Sequence, residues 1–348
     1  MDPTILVLCV IVAALLFDFT NGWNDSANSI ATVVSTRVMT PMVAVVFAAI
    51  LNFSGAFVST KVAKMVGTGI LDVGQFPRPI ELQPILFAAM IAAAGWVAWS
   101  TVKGLPISAS HSLIGGMVGA AVAVKGFGVV VGSGFVTIVL ALLLSPLGGF
   151  IFSFILLVIV YWLGRGLSYR RGQRVFGFLQ ILSSGFMSLQ HGQNDAQKVM
   201  GVIAVSLFAG GFLTDPATGA VLTDFTKLYI PIWVMAACGG VIALGTAIGG
   251  WRVINTLGSK LAHISPVEGF AAETGAGIVL QLAAYWGVPV STTHTITGAI
   301  LGVGSVRGVK GVRWGIGAKI VYAWVFTLPA CFVLGWILSV LTWSLGLH

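Results

Sequence analysis

Two dissimilar phrases each occur twice in this chain, in the same order, and no other feature limits its fold as much. Asn21-Gly22-Trp23-Asn24-Asp25-Ser26-Ala27-Asn28 returns in altered form 170 residues later as His191-Gly192-Gln193-Asn194-Asp195-Ala196-Gln197-Lys198. Leu105-Pro106-Ile107-Ser108-Ala109-Ser110-His111 returns after 183 residues as Val288-Pro289-Val290-Ser291-Thr292-Thr293-His294. A chain patterned this way contains a duplicated unit. Both phrases are set in apolar sequence. Where two such halves line a membrane protein, polar interruptions at matching positions point to a substrate site at the bilayer midplane.

Hydrophobic residues make up 57% of the chain and charged residues 8%, against roughly 25% charged in a soluble domain. Apolar stretches recur at 4–17, 41–60, 84–101, 128–145, 147–164, 228–250, 266–286 and 314–345, and about 20 such residues cross a bilayer. Pro146 divides 128–164, and Pro329 divides 314–345, into paired segments. The 45 glycines suit close helix packing, and the short alternating segments of a barrel are absent. The expected fold is an all-α polytopic membrane protein of two inverted repeats. Each repeat has about five transmembrane helices plus a re-entrant helical hairpin, with broken helices at the site. Residues 1–165 are expected to form the first repeat, 166–175 a short basic connector and 176–348 the second. The first apolar segment runs straight into the first motif, so it reads as a retained helix and not a cleaved signal. Cys9, Cys238 and Cys331 lie in apolar runs without metal-type spacing and read as small core residues.

The formal charge of +8 is, in such a chain, a topology signal and not a nucleic-acid footprint. Arg165, Arg170, Arg171 and Arg174 put the connector in the cytoplasm, and both termini then lie outside the inner (plasma) membrane. Arg37, Lys103, Lys125, Arg252 and Lys260 fall inside with them. Lys61, Lys64, Arg78, Lys227, Arg307, Lys310 and Arg313 fall outside, a majority of nine to seven.

Asp18, Asn21, Asn24, Asp25 and Asn28 interrupt apolar sequence without a charged flank. At membrane depth such a cluster is tolerated where the helix unwinds and its polar groups face protein or water, and Gly22 with helix-poor Asn and Asp fits a break. Hard cations take oxygen ligands, so sodium ligands are expected at Asn24, Asp25 and Asn28. Asn21, Asn52, Asp195 and Glu273 are further coupling-ion candidates. The second copy has Lys198 in place of Asn28. Three residues beyond Asp195 on one helix face, its ammonium would serve as a fixed cation replacing a mobile one, couple to protons, or form a structural ion pair. Glu273, with Met90 at its pseudo-equivalent position, reads as an unpaired membrane carboxylate.

Ser108, Ser110, Ser291, Thr292 and Thr293 read as helix starts behind Pro106 and Pro289, and Gly104 and Gly287 end the preceding spans. Two helix N-termini directed at one spot offer N–H groups, partial positive charge and hydroxyls, which makes an anion site. His111 and His294 are open between proton carriage or charge compensation and hydrogen-bonded structure. Nucleotide phosphate loops, zinc-protease helices and nucleophile elbows are missing, so an enzyme is not expected. A sulfate or other oxyanion transporter and an intramembrane hydrolase remain as rival readings.

These duplicated motifs resemble the inorganic phosphate transporter family (Pit, or PHO4), whose halves each carry a Gly-x-Asn-Asp signature followed by a Pro-x-Ser-Thr-Thr-His hairpin. The likeness runs from about Asp18 to Gly304. It implies a secondary symporter that moves inorganic phosphate with sodium or protons by alternating access, without a cofactor. By the same resemblance, Asn24, Asp25, Asn28, Asn194 and Asp195 help bind coupling cations and phosphate, and Ser108, Ser110, Ser291, Thr292 and Thr293 hold phosphate oxygens. Three positions depart from the pattern. Ala109 replaces the first hairpin Thr, and Asn52 stands where many eukaryotic members have Glu. Gln197-Lys198 looks like the bacterial low-affinity branch, which is associated with proton-linked uptake of phosphate together with a divalent metal. The expected partners are phosphate, a coupling cation and the lipid bilayer, with a homodimer considered for the assembly.

Overall fold

The computed structural model describes residues 2–215 and 218–346. Its helices are α1 (Pro3–Ser35), α2 (Pro41–Gly55), α3 (Lys61–Gly69), α4 (Leu82–Lys103), α5 (Ala109–Lys125) and α6 (Gly132–Leu163). They are followed by α7 (Tyr169–Ala209), α8 (Ile232–Ile248), α9 (Trp251–Asn255), α10 (Pro266–Trp286), α11 (Thr292–Ser305) and α12 (Trp314–Ser344). Six helices thus precede the junction and six follow it, and among the described residues only isolated bridges interrupt the helical pattern. Two of those bridges are themselves duplicated. Leu71 pairs with Val130 between α3 and α6, and Ala262 with Val312 between α9 and α12.

The duplication is inverted. Along the contact between α1 and α7, Val7 lies beside Gly210, Asp25 near His191, Ser29 beside Ser184 and Thr36 beside Gln180. One number rises as the other falls, so the two equivalent helices run antiparallel. The halves also interlock. The α5 helix packs on α12, and α11 on α6, while α2 lies against α7 and α8. Basic residues at the starts of α3 and α9 extend the exchange: Lys61 Nζ donates to the Tyr285 carbonyl at 3.1 Å and Arg252 donates to the Val102 carbonyl. Each cation meets the C-terminal end of the other half's hairpin limb, where carbonyl dipoles favour positive charge.

The molecule buries polar groups and exposes apolar ones. Leu140, Leu144, Ile151 and Ile155 of α6, with Val325, Phe326 and Val333 of α12, are exposed, while Asp18, Asn21, Asp25, Asn194 and Asp195 are enclosed. That inversion is what a lipid solvent demands. By length and apolarity, α1, Pro79–Lys103, Gly132–Gly166 and α12 are long enough to cross a membrane, and α8 reaches that length together with the segment after it, from which it is bent by 63°. The arginines and the second motif on α7 make that helix polar, although it runs for 41 residues.

Three expectations need correction. First, α1 and α7 pass through both Asn-Asp motifs without unwinding. Asn24, Asp25, Asn28 and Asp195 find partners on other helices while the backbone ladder continues; the chain instead breaks at the hairpin tips, after Gly104 and Gly287, and between α8 and α9. Second, α6 and α12 continue through Pro146 and Pro329 as single helices. A helical proline deprives the carbonyl four residues earlier of its donor, and His294 Nδ1 lies 3.3 Å from that carbonyl, Leu142 O. Third, α7 begins at Tyr169, so most of the expected connector, including Arg170, Arg171 and Arg174, is already helix.

Each hairpin is pinned at its base. Lys125 Nζ lies 3.4 Å from Glu81, joining the end of α5 to the start of α4. Arg307 Nε lies 2.6 Å from Glu268, joining the end of α11 to the start of α10. Tyr161 of α6 adds a hydrogen bond to Glu268 at 3.3 Å.

Candidate functional site

Gly104 and Gly287 adopt left-handed conformations, with φ of 72° at both, and turn each hairpin. Ser108 then caps α5 by accepting from the His111 amide at 3.1 Å, and Ser291 caps α11 by accepting from the His294 amide at 3.2 Å. These caps leave the amides of the first two helical positions, Ala109 and Ser110 in one tip and Thr292 and Thr293 in the other, without helical partners. The tips meet: Ser110 Oγ donates to the Val290 carbonyl at 3.0 Å, and the His111 and His294 rings lie 4.7 Å apart.

Beneath the second tip lie the two motif carboxylates. Thr292 Oγ1 lies within hydrogen-bonding distance of both, at 3.1 Å from Asp25 Oδ2 and 3.0 Å from Asp195 Oδ2. Thr293 Oγ1 donates to Asp25 Oδ1 at 2.9 Å, and Asn28 Nδ2 reaches both threonine hydroxyls. Lys198 Nζ sits 2.5 Å from Asp195 Oδ1 and donates to the Val290 carbonyl at 2.9 Å. The centre is lopsided. Both carboxylates are served by the second tip, because Ala109 has no hydroxyl at the position equivalent to Thr292 and Ser110 is turned to Val290.

Of the residues singled out in the sequence, Asp25, Asn28, Asp195, Lys198, Thr292 and Thr293 come together directly, with Ser110 one contact away. Asn24 braces the first hairpin, donating to Thr101 Oγ1 at 2.8 Å and to the Leu105 carbonyl at 3.3 Å. Asn194 turns back on its own helix to the Gln190 carbonyl. Asn52 donates to Thr246 and lies 3.1 Å from His191 Nδ1, so it orients that ring and does not face the threonines. Asn21 makes no side-chain hydrogen bond among the described residues.

Glu273 is not unpaired. It accepts hydrogen bonds from Thr32 and Ser183, in a cluster separate from the Asp25–Asp195 centre: Thr32 is seven residues along α1, about 10 Å at the helical rise. His111 and His294 pack against each other, and His294 stacks on Trp324 at 3.9 Å.

The residue that sequence reasoning missed is His191. Its Nε2 lies 3.2 Å from Asp195 Oδ2 and 3.9 Å from Asp25 Oδ2. Ligand atoms of Asp25, His191 and Asp195 all lie within 4.8 Å of one another, close enough to share a metal ion. The signal was present: His191 is four residues before Asp195 on one helix face, at the position matching Asn21.

An inverted, interlocked bundle whose hairpin tips meet paired carboxylates at an enclosed centre defines a membrane transporter with its site between repeats. The model of the phosphate transporter family, PHO4, matches residues 21–171 and again 165–335, and the chain belongs to that family. A probable low-affinity inorganic phosphate transporter of Rhizobium meliloti is 46% identical over 334 residues, covering 95% of each chain. Its counterpart in Bacillus subtilis is 40% identical over 333 residues, again with 95% of each covered. A solved structure, described as the sodium-dependent phosphate transporter, superposes with a TM-score of 0.87 at 26% identity, over 98% of this chain and 99% of that one. Family and relatives alike are transporters and not enzymes.

Proposed function

We propose that this protein carries inorganic phosphate into the cell by alternating access, in symport with cations. The observation that carries the proposal is the Thr292 hydroxyl within reach of both Asp25 and Asp195, directly below two helix N-termini. Phosphate oxygens bind the free amides and hydroxyls of the tips, at Ser108, Ser110, Ser291, Thr292 and Thr293. Asp25 with Asn28 holds a sodium ion or, with His191 and Asp195, a divalent metal carried with phosphate. Lys198 supplies the other half's cation in tethered form. Crossing becomes favourable only when the loaded site is nearly neutral, because a bare charge exposed to hydrocarbon costs about 3 kcal/mol or more. The sodium dependence of the structural relative supports cation coupling.

The same reading gives the chain an inner-membrane location, with the arginine-rich junction cytoplasmic and both ends outside. Its repeats divide at the basic junction, with α1–α6 in the first and α7–α12 in the second. Purified protein in sealed vesicles, with sodium and proton gradients imposed separately, provides the test. Labelled phosphate should accumulate under at least one gradient and be displaced by unlabelled phosphate. Uptake indifferent to excess phosphate but blocked by sulfate would reassign the substrate.

A further inference from the structure

Asp18 lies seven residues before Asp25 on α1, fully enclosed, and no nitrogen or hydroxyl donor reaches its carboxylate oxygens among the described residues. Asn21, one turn later on the same face, is equally enclosed, and both its amide atoms are unpartnered. Few charges surround them. From α8 the Cys238 thiol faces the carboxylate, and on α7 the charged groups that act on it are Asp195 and Lys198. The Lys198 ammonium is already committed to Asp195 and the Val290 carbonyl. The α4 helix has no ionisable side chain between Glu81 and Lys103, and α2 has none at all.

An ionised carboxylate served only by a weak thiol donor in such surroundings is strongly unfavourable, and it becomes tolerable by taking up a positive charge. Hard metal cations gather about six oxygens. This spot offers the two of Asp18 and one of Asn21 on a closed helix, beside a thiol that suits soft metals. A proton needs only one oxygen. We propose that Asp18 is the proton-binding position of the transport cycle, separate from the phosphate centre, with Asn21 as the adjacent hydrogen-bond partner of the protonated acid. The step is the addition of one proton to one carboxylate oxygen, and no other bond changes.

The position explains how such a proton would be coupled. Asp18 is about 10 Å from Asp25 along α1, on the opposite side from Thr32 and Glu273. Neutralising it removes a negative charge that acts on Asp195, which favours an anion at the centre; by linkage, a bound anion favours the proton. On that side a recess of about 560 Å³, lined by Val7, Ile11, Leu207 and Tyr229 among others, opens within two turns of α1.

The proposal rests on the phosphate-transport reading, and two measurements in vesicles separate them. Phosphate–phosphate exchange without a gradient reports the centre and its change of face. Accumulation driven by an inside-alkaline gradient, without sodium, reports the proton. One proton per phosphate turns one pH unit into roughly tenfold accumulation, since a pH unit is worth about 1.4 kcal/mol. Asp18→Asn should keep exchange within about threefold of the native protein yet accumulate equally with and without the gradient, and Asp18→Glu should keep the full response. Gradient-driven accumulation persisting in Asp18→Asn would overturn the proposal, as would loss of exchange together with it, or an Asp18→Glu variant that behaves like Asp18→Asn. Native protein that exchanges phosphate but ignores the pH gradient overturns this inference alone, whereas native protein that exchanges no phosphate overturns the transport reading.

Discussion

Asp25 and Asp195 occupy equivalent positions in the two halves but have different company. Asp195 has an ammonium 2.5 Å away, whereas Asp25 has the hydroxyls of Thr292 and Thr293 and only a distant His191. In the proposed cycle Asp25 is therefore the carboxylate that recruits a mobile cation. Asp25→Asn should lower concentrative uptake about a hundredfold, the worth of a charged ligand at about 3 kcal/mol; normal accumulation in vesicles would remove it from the mechanism. Lys198→Asn makes the second half resemble the first, and uptake should then rise about tenfold from sodium-free to sodium-rich buffer, matching one added ionic contact of at least 1.4 kcal/mol. An unchanged ion requirement would defeat the tethered-cation idea. Duplication made both carboxylates legible in the sequence. His191 was legible only through its spacing from Asp195, and the bonded state of Glu273 was not legible, because its partners Thr32 and Ser183 are more than 80 residues distant in the chain.

Among the elements, the hairpins were the most readable, since Pro, Gly and hydroxyl residues mark turns and helix starts wherever the chain goes. The prolines inside α6 and α12 were misread as dividers because sequence alone does not reveal what meets the carbonyl a proline releases. In the fold α11 presses against α6 at Pro146. A Cβ on Gly298 would lie 2.1 Å from the Pro146 carbonyl, and one on Gly115, at the equivalent place in the first half, 2.5 Å from the Leu328 carbonyl. Gly298→Val should cost at least about 2 kcal/mol through overpacking, seen as a lower thermal midpoint in detergent. Gly166→Val, where nothing lies within 4 Å, should leave the midpoint unchanged; equal midpoints for the two variants would refute the close seating of α11 on α6.

For the whole molecule, the proposed alternating access requires the two tips to separate. Cysteines at 110 and 290, in a background lacking Cys9, Cys238 and Cys331, should be joined by a short bifunctional thiol reagent, and transport should fall to background and return when a cleavable linker is cut. Transport that continues through the linked tips would exclude their separation from the cycle. The chain by itself determined a membrane solvent, a duplicated unit and the residue types gathered at the proposed site, because composition and repetition are properties of sequence and need no contacts. Only the tertiary structure decided that α1 and α7 stay helical through their motifs, that the halves interlock, and that the second tip serves both carboxylates. Those outcomes depend on which distant groups can donate hydrogen bonds to buried side chains, and that is fixed by packing in three dimensions.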